Sequence, residues 1–129
     1  RRIIFGMSDK KTPYMEGMAL FSVGKHADSI EKFRAALAID PVWDDCLQAL
    51  AMAQMHSGDL NAALETAKHI CEVTPEDPLA FTGLSMIYQR LDRIDDAETA
   101  QAKARMLSWK QELKTNPDAQ PPAGINVIQ

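Results

Sequence analysis

The sequence is poor in the residues on which disulfide-rich domains, β-sandwiches and membrane proteins depend. Only two cysteines, Cys46 and Cys71, occur among 129 residues, too few and too far apart for a disulfide scaffold or a zinc knuckle. Aromatic residues make up 6%, a share that suits neither a sandwich nor a barrel. No apolar run approaches the roughly 20 residues needed to cross a bilayer. Plentiful alanine and methionine instead favour helices, and a hydrophobic share of 46% with 25% charged residues is typical of a folded chain.

The chain also lacks an excess of positive charge. With 14 basic and 18 acidic residues its net charge is −4, so electrostatics give no reason to expect nucleic acid or an anionic membrane as a partner. Arg1 and Arg2 precede only three apolar residues, whereas a secretory signal has an apolar core of about 7–15. We therefore expect a cytoplasmic chain with a flexible N-terminal extension over residues 1–9. Met7 is typical of a natural start, which leaves the origin of residues 1–6 open.

A period of 34 residues runs through most of the chain. Gly24 and Gly58 lie one period apart, and Asp92 follows at the next step. Pro41 and Pro75 keep the same spacing. Further columns in this register are Met18, Met52 and Met86; Gly17, Ala51 and Ser85; Leu50 and Leu84; Ala63 and Ala97; and Ala36, Ile70 and Ala104. So many columns without a gap indicate a repeat architecture.

Each 34-residue unit carries two helical patterns joined by a short turn. The patterns predict helices over roughly 13–23, 26–39, 43–57, 60–73, 78–91 and 94–114. Thr12-Pro13 and Asp77-Pro78 each place a capping side chain before a proline, a combination typical of a helix start. Gly24 and Gly58 are expected to end their helices in the left-handed conformation, which glycine adopts without cost; Asp92 takes this place in the third unit.

On these residues the chain resembles the tetratricopeptide repeat family, in which 34-residue helix pairs cross at small residues, with a large residue opposite and a proline near the unit end. The resemblance covers about residues 10–109. It rests on Gly17, Gly24, Phe33, Ala36 and Pro41 in the first unit, on Leu47, Leu50, Ala51, Gly58, Ala63 and Pro75 in the second, and on Phe81, Leu84, Tyr88, Ala97 and Ala104 in the third. The chain departs from the pattern at Pro13 and Glu16, and at Trp109 in place of the last proline.

The resemblance implies an all-α fold, a right-handed superhelical array of antiparallel helix pairs (a solenoid) whose sixth helix is long. We expect the repeat domain to span residues 10–115, in units 10–43, 44–77 and 78–115, followed by a proline-rich flexible tail over 116–129. The second helix of the third unit carries Glu98, Gln101 and Arg105 where the second unit has Leu64, Ala67 and Cys71. Because an apolar stripe has become polar, no fourth unit is expected to stack there.

No motif in the sequence fits catalysis, cofactor binding or a metal site. Gly24-Lys25 is followed by His26 rather than Ser or Thr, and Ala19 stands where the first glycine of a phosphate-binding loop belongs. His26, His56 and His69 have no partner ligands at metal-binding spacing. We therefore expect a non-enzymatic chain without cofactor or metal.

In the resembled family, the first helices of successive units line a concave groove that holds a peptide or helix of a partner protein. The resemblance places eleven residues of this chain there: Tyr14, Met18, Phe21, Gln48, Met52, Met55, His56, Thr82, Met86, Gln89 and Arg90. The alternative is that the methionine column belongs to the core, although each unit already supplies a separate apolar stripe. We expect the groove to bind an apolar segment of another protein. It has no asparagine, which some family members use to grip a C-terminal carboxylate.

Three alternatives stay open in the sequence. Cys46 and Cys71 are expected to be neighbours in an antiparallel helix pair, either as reduced thiols or as a disulfide. The segment 125–129 either frays or docks in a groove. The rival function is a self-assembling scaffold, in which an exposed Trp109, Leu113 or the terminal apolar segments join copies into a homo-oligomer.

Overall fold

The computed structural model describes residues 9–124, and these residues form six helices and no strand. The helices are α1 (Lys11–Ser22), α2 (His26–Ile39), α3 (Asp44–Ser57), α4 (Leu60–Val73), α5 (Pro78–Arg90) and α6 (Ile94–Leu113). Helices α2, α4 and α6 begin 34 residues apart, so the period of the sequence is the period of the helix pairs. The all-helical prediction is confirmed, and each helix end lies within about two residues of its predicted position.

All three helix pairs turn with the same hydrogen-bond pattern. In the first turn the N–H of Gly24 donates to the carbonyl of Phe21 (3.0 Å) and the N–H of Lys25 to that of Leu20 (2.9 Å). The turns at Gly58 and Asp92 repeat both bonds. This Schellman pattern requires a left-handed residue, and φ is +83° at Gly24, +88° at Gly58 and +61° at Asp92. The predicted helix ends are therefore confirmed, including the one that uses aspartate.

The start of α1 differs from the prediction. The Oδ1 atom of Asp9 accepts from the N–H groups of Lys11 (3.1 Å) and Thr12 (3.3 Å), so the helix begins at Lys11 and the predicted cap at Thr12 is wrong. Pro13 is tolerated inside the first turn because the first four N–H groups of a helix have no acceptor within it. Hydrogen bonds from the side chain and the backbone of Thr12 hold the pKa of Asp9 below its usual value.

The described chain divides into two compact units, one ending at Val73 and the other beginning at Thr74. The first unit contains α1 to α4, and its core is built around the completely buried ring of Phe33. Ala36, Cys46, Leu50 and Ala53 are buried with it. The stripe expected to be core in the second helix pair is also buried, and consists of Leu47, Leu50, Ala51, Ala63 and Ile70.

The second unit contains α5 and α6. Asp77 caps α5, as predicted, through a 3.0 Å bond from the N–H of Leu79 to its Oδ1 atom, with Pro78 in the first turn. The two helices are joined by a buried hydrogen bond of 2.8 Å from the hydroxyl of Ser85 to the carbonyl of Ala97. Further buried residues of this unit are Ala80, Leu84, Ile87, Ala100, Ala104 and Leu107.

The segment after α6 folds back onto that helix. The indole N–H of Trp109 donates to the carbonyl of Ala119 at 3.0 Å, and Ala119 is buried. Within the predicted tail Ala119 is thus buried, and Trp109 is half-buried rather than exposed as the scaffold alternative supposed. The N-terminal extension up to residue 8 and the segment 125–129, to which the docking alternative referred, lie outside the described residues.

Candidate partner-binding surface

The methionine column lies on the surface of the molecule. Met18 is 40% exposed, Met52 50% and Met86 53%. They occupy equivalent positions on α1, α3 and α5, the first helices of the three pairs. The alternative that these methionines belong to the core is therefore wrong. The buried side chains that form the cores, such as Phe33, Leu50 and Leu84, do not include them.

In the first unit the predicted surface residues of α1 and α3 border a common cleft of about 190 Å³. Tyr14, Met18 and Phe21 form one wall and Gln48 and Met52 the other. The cleft reaches down to the buried ring of Phe33 and is bordered by Ala49 and Asp45. Apolar walls with a few polar groups at the edge are typical of surfaces that take up a side chain of a ligand. The unbranched thioethers of Met18 and Met52 allow the walls to adapt to its shape.

Tyr14 is held in place at one end of the cleft by aromatic neighbours. Its ring centroid lies 4.7 Å from that of Trp43 and 6.0 Å from that of Phe33. Lys10 lies over the ring of Trp43, with its Nζ atom 4.4 Å from the ring centroid. Partial burial, followed by the nearby charge of Asp45, raises the pKa of Tyr14 above its usual value. The phenol is therefore a neutral hydrogen-bond donor and acceptor at the edge of an apolar cleft.

Two histidines pack against Phe21 at the other end of α1. The ring centroid of Phe21 lies 5.0 Å from that of His26 and 5.3 Å from that of His56, and the two imidazoles are 5.2 Å apart. The Nδ1 atom of His56 lies 2.9 Å from the carbonyl of Met52, which fixes the orientation of this exposed ring. His56 was a predicted surface residue, whereas His26 was missed. Its position as the first residue of α2, directly beyond the turn at Gly24, is the signal that would have placed it beside the end of α1.

The remaining predicted residue of α3, Met55, is half-buried. On α5, Met86, Gln89 and Arg90 are exposed, and Thr82 is half-buried. The hydroxyl of Thr82 donates to the carbonyl of Pro78 at 3.1 Å, so it is occupied within its own helix. The predicted surface thus consists of seven residues in the first unit and four in the second.

The described residues do not favour metal or nucleophile chemistry. Over residues 9–124 no three histidine, cysteine or acidic side chains are grouped so that they could hold a metal ion. Cys46 and Cys71 are both buried and are not joined by a disulfide. Burial raises the pKa of the Cys46 thiol to about 11, so its nucleophilic thiolate form is rare at neutral pH. In the same part of the chain, none of the helices combines the length and the apolar composition that a bilayer crossing requires.

The chain has the tetratricopeptide repeat fold, as the resemblance implied. This class of fold is defined by helix pairs with a 34-residue period, left-handed residues at the turns and small residues at the helix crossings. The sequence of the chain is similar to the photosystem I assembly protein Ycf3. It is 26% identical over 113 residues to the Ycf3 of Synechococcus sp. (strain CC9605), and the matched region covers 81% of this chain and 65% of that protein. It is 29% identical over 115 residues to that of Cyanophora paradoxa, with 81% and 66% covered. The chain therefore spans just under two thirds of these relatives, and no family model matches it.

Solved structures of other proteins share the fold. MamA matches with a TM-score of 0.76 at 20% identity, covering 82% of this chain and 62% of that one. The CopN–Scc3 complex matches with 0.73 at 21% identity, covering 82% and 65%. The tetratricopeptide repeat domain of Sgt2 from Aspergillus fumigatus matches with 0.69 at 21% identity, covering 93% and 89%. At these identities the likeness shows the fold alone.

Proposed function

We propose that this chain is a non-enzymatic interaction module that binds an apolar peptide or helical segment of another protein through the exposed methionines of its first helices, Met18 and Met52 in the first unit and Met86 in the second. The observation that carries the proposal is the repetition of one exposed methionine at the same position of three successive first helices. Each helix pair leaves one large apolar side chain exposed to water at this position. Exposed apolar side chains that recur in this way are typical of a surface that contacts another protein. The cytoplasm is the proposed compartment.

The chemistry of this face suits a partner with apolar side chains and little charge. Complete burial of a methionine side chain contributes about 1.5–3 kcal/mol, and roughly half of the surface of Met52 and Met86 remains to be buried. The cleft between Met18 and Met52 is large enough for one apolar side chain of the partner. Gln48, His56 and Arg90 supply hydrogen-bonding groups beside the methionines, which would fix the orientation of the bound segment.

The comparisons support a protein as the partner. The sequence relatives are named as assembly proteins of photosystem I, and one of the structural neighbours is a complex of two proteins. Because this chain spans only 65% of the length of the first relative, its own partner has to be identified by experiment.

The proposal can be tested by comparing what two variants retain from a lysate. Met52→Glu places a charge in the wall of the cleft between α1 and α3, which an apolar partner cannot pair. Ile94→Glu is the matched control, since Ile94 is 49% exposed and Met52 50%, but Ile94 lies at the start of α6 outside the face. Proteins retained by the wild type and by Ile94→Glu but lost from Met52→Glu are the expected result. Equal retention by both variants would place the binding surface elsewhere.

A further inference from the structure

The segment after α6 reverses direction in a turn that its sequence specifies. The N–H of Asn116 donates to the carbonyl of Glu112 (2.8 Å), and the N–H of Ala119 donates to the carbonyl of Asn116 (3.0 Å). The side-chain oxygen of Asn116 accepts from the N–H of Asp118 at 3.2 Å. Asparagine at the first and proline at the second position of a four-residue turn are the residues that favour this geometry. The turn thereby brings the carbonyl of Ala119 to the side chain of Trp109.

The contact at Trp109 uses both the polar and the apolar part of the indole. The ring carries a single donor, and that donor is satisfied by the Ala119 carbonyl at 3.0 Å. Ala119 is only 9% exposed, although it lies in a short segment of polar residues and prolines. Pro117 and Pro121 each lie two residues from Ala119, and proline-containing segments are commonly bound on aromatic side chains.

Beyond Ala119 the segment borders an open cleft of about 300 Å³. Gln120 and Pro122 line it from the tail, Thr82 from α5, and Gln101 and Arg105 from α6. Gln101 and Arg105 belong to the stripe of α6 that has turned polar, where a further repeat would otherwise stack. In this unit the tail lies on the surface that a repeat would use.

We propose that the face of α6 around Trp109 is a binding site for a proline-containing segment, and that residues 116–122 of the same chain are its occupant. A tether this short gives the tail a local concentration in the millimolar range, so a weak contact is enough to keep the site filled. A similar segment from another molecule binds there only when the chain's own segment has been released.

Release of the tail is coupled to partner binding. The cleft beside the tail includes Thr82, which is also part of the proposed partner-binding face on α5. A partner that reaches Thr82 competes with Gln120 and Pro122 for space. This coupling rests on the proposed function, whereas the docking of the tail does not.

The experiment uses the full chain and a synthetic peptide of residues 115–124. Ala119→Glu introduces a charge at the buried position and is expected to release the tail, while Ala123→Glu introduces the same charge at an exposed tail residue and serves as the control. The indole N–H resonance of Trp109, assigned with Trp109→Phe, is the readout. The resonance is expected to shift in Ala119→Glu but not in Ala123→Glu. When the peptide is added to Ala119→Glu at millimolar concentration, the resonance is expected to return towards its wild-type position. An unchanged resonance in Ala119→Glu, or no response of the released chain to the peptide, would overturn the docking site.

The peptide experiment contains no partner, so its failure leaves the methionine face untouched. The coupling is tested separately once a partner is known. Ala119→Glu is then expected to bind that partner about fivefold more tightly than Ala123→Glu, the lower end of typical coupling between sites. Equal affinities of the two variants would overturn the coupling.

Discussion

The ring of Phe33 occupies the space in which a side chain on residue 17 would begin. A Cβ atom on Gly17 would lie 2.6 Å from Cε1 and 2.7 Å from Cδ1 of Phe33, closer than real Cβ atoms approach a neighbour. Phe33 is completely buried among the core residues of the first unit, so a shift of its ring disturbs their packing. The crossing of α1 and α2 therefore depends on one position without a side chain and one with a large ring.

Gly17→Ala is expected to destabilise the protein. Overpacking of a filled core costs about 1–3 kcal/mol, which exceeds the gain of up to about 1 kcal/mol from replacing glycine by alanine in a helix. Gly83→Ala is the control, because Gly83 also lies in a helix but nothing lies within 4 Å of its Cβ position. Urea unfolding of the two variants should give shifts of opposite sign. Equal stabilisation by both would mean that Phe33 moves freely.

Asp92→Gly is expected to stabilise the protein by about 1 kcal/mol. Asp92 has a φ of +61°, a conformation that costs residues with a side chain roughly 1–2 kcal/mol and glycine almost nothing. Part of this gain is offset by the larger entropy of glycine in the unfolded chain. Gly58→Ala at the equivalent turn, where φ is +88°, should lower the free energy of unfolding. A lower midpoint of thermal unfolding for Asp92→Gly would show that the aspartate side chain stabilises this turn.

The stability of the fold should fall at alkaline pH because of Cys46. Its pKa is raised from 9.0 to about 11 by burial and, secondarily, by the charge of Asp40. The unfolded chain therefore loses this proton at lower pH than the folded chain does. The contribution of the buried thiol is complete below pH 9 and is lost as the pH rises towards 11, by up to about 1.4 kcal/mol per pH unit.

The variant Cys46→Ala isolates the contribution of Cys46 to stability, because it keeps all other groups that titrate at alkaline pH. The difference in free energy of unfolding between wild type and variant should shrink between pH 8 and pH 10.5, measured by urea unfolding. A difference that stays constant over this range would mean that the thiol does not titrate differently in the folded and unfolded chains.

Most of the helical framework can be predicted from the sequence because local chemistry determines it. Gly24, Gly58 and Asp92 mark the left-handed turns, and the apolar columns between them identify the core stripes. The exposure of Met18, Met52 and Met86 follows from the same periodicity, since the core positions on each helix were already assigned.

The features that the sequence analysis missed depend on side chains meeting across the fold. Asn116 and Pro117 predict a turn, but no local pattern says that the chain then reaches Trp109. The ring of His26 meets Phe21 and His56 only once two turns and three helices are in place. At the start of α1 the competing signal was stronger, because Thr12-Pro13 is a common helix start, whereas the side chain that accepts from the first N–H groups is that of Asp9.

The most direct test of the proposed function is titration calorimetry of Met52→Glu with the partner recovered from the lysate. Single grooves that order a flexible segment typically bind with micromolar affinity, about −8 kcal/mol. A central anchor is worth 2 kcal/mol or more, so Met52→Glu should weaken binding by roughly 30-fold or more. Ile94→Glu should bind as the wild type does, and both variants should unfold at the wild-type temperature. Wild-type affinity in a folded Met52→Glu protein would contradict the proposal that the methionine face binds the partner.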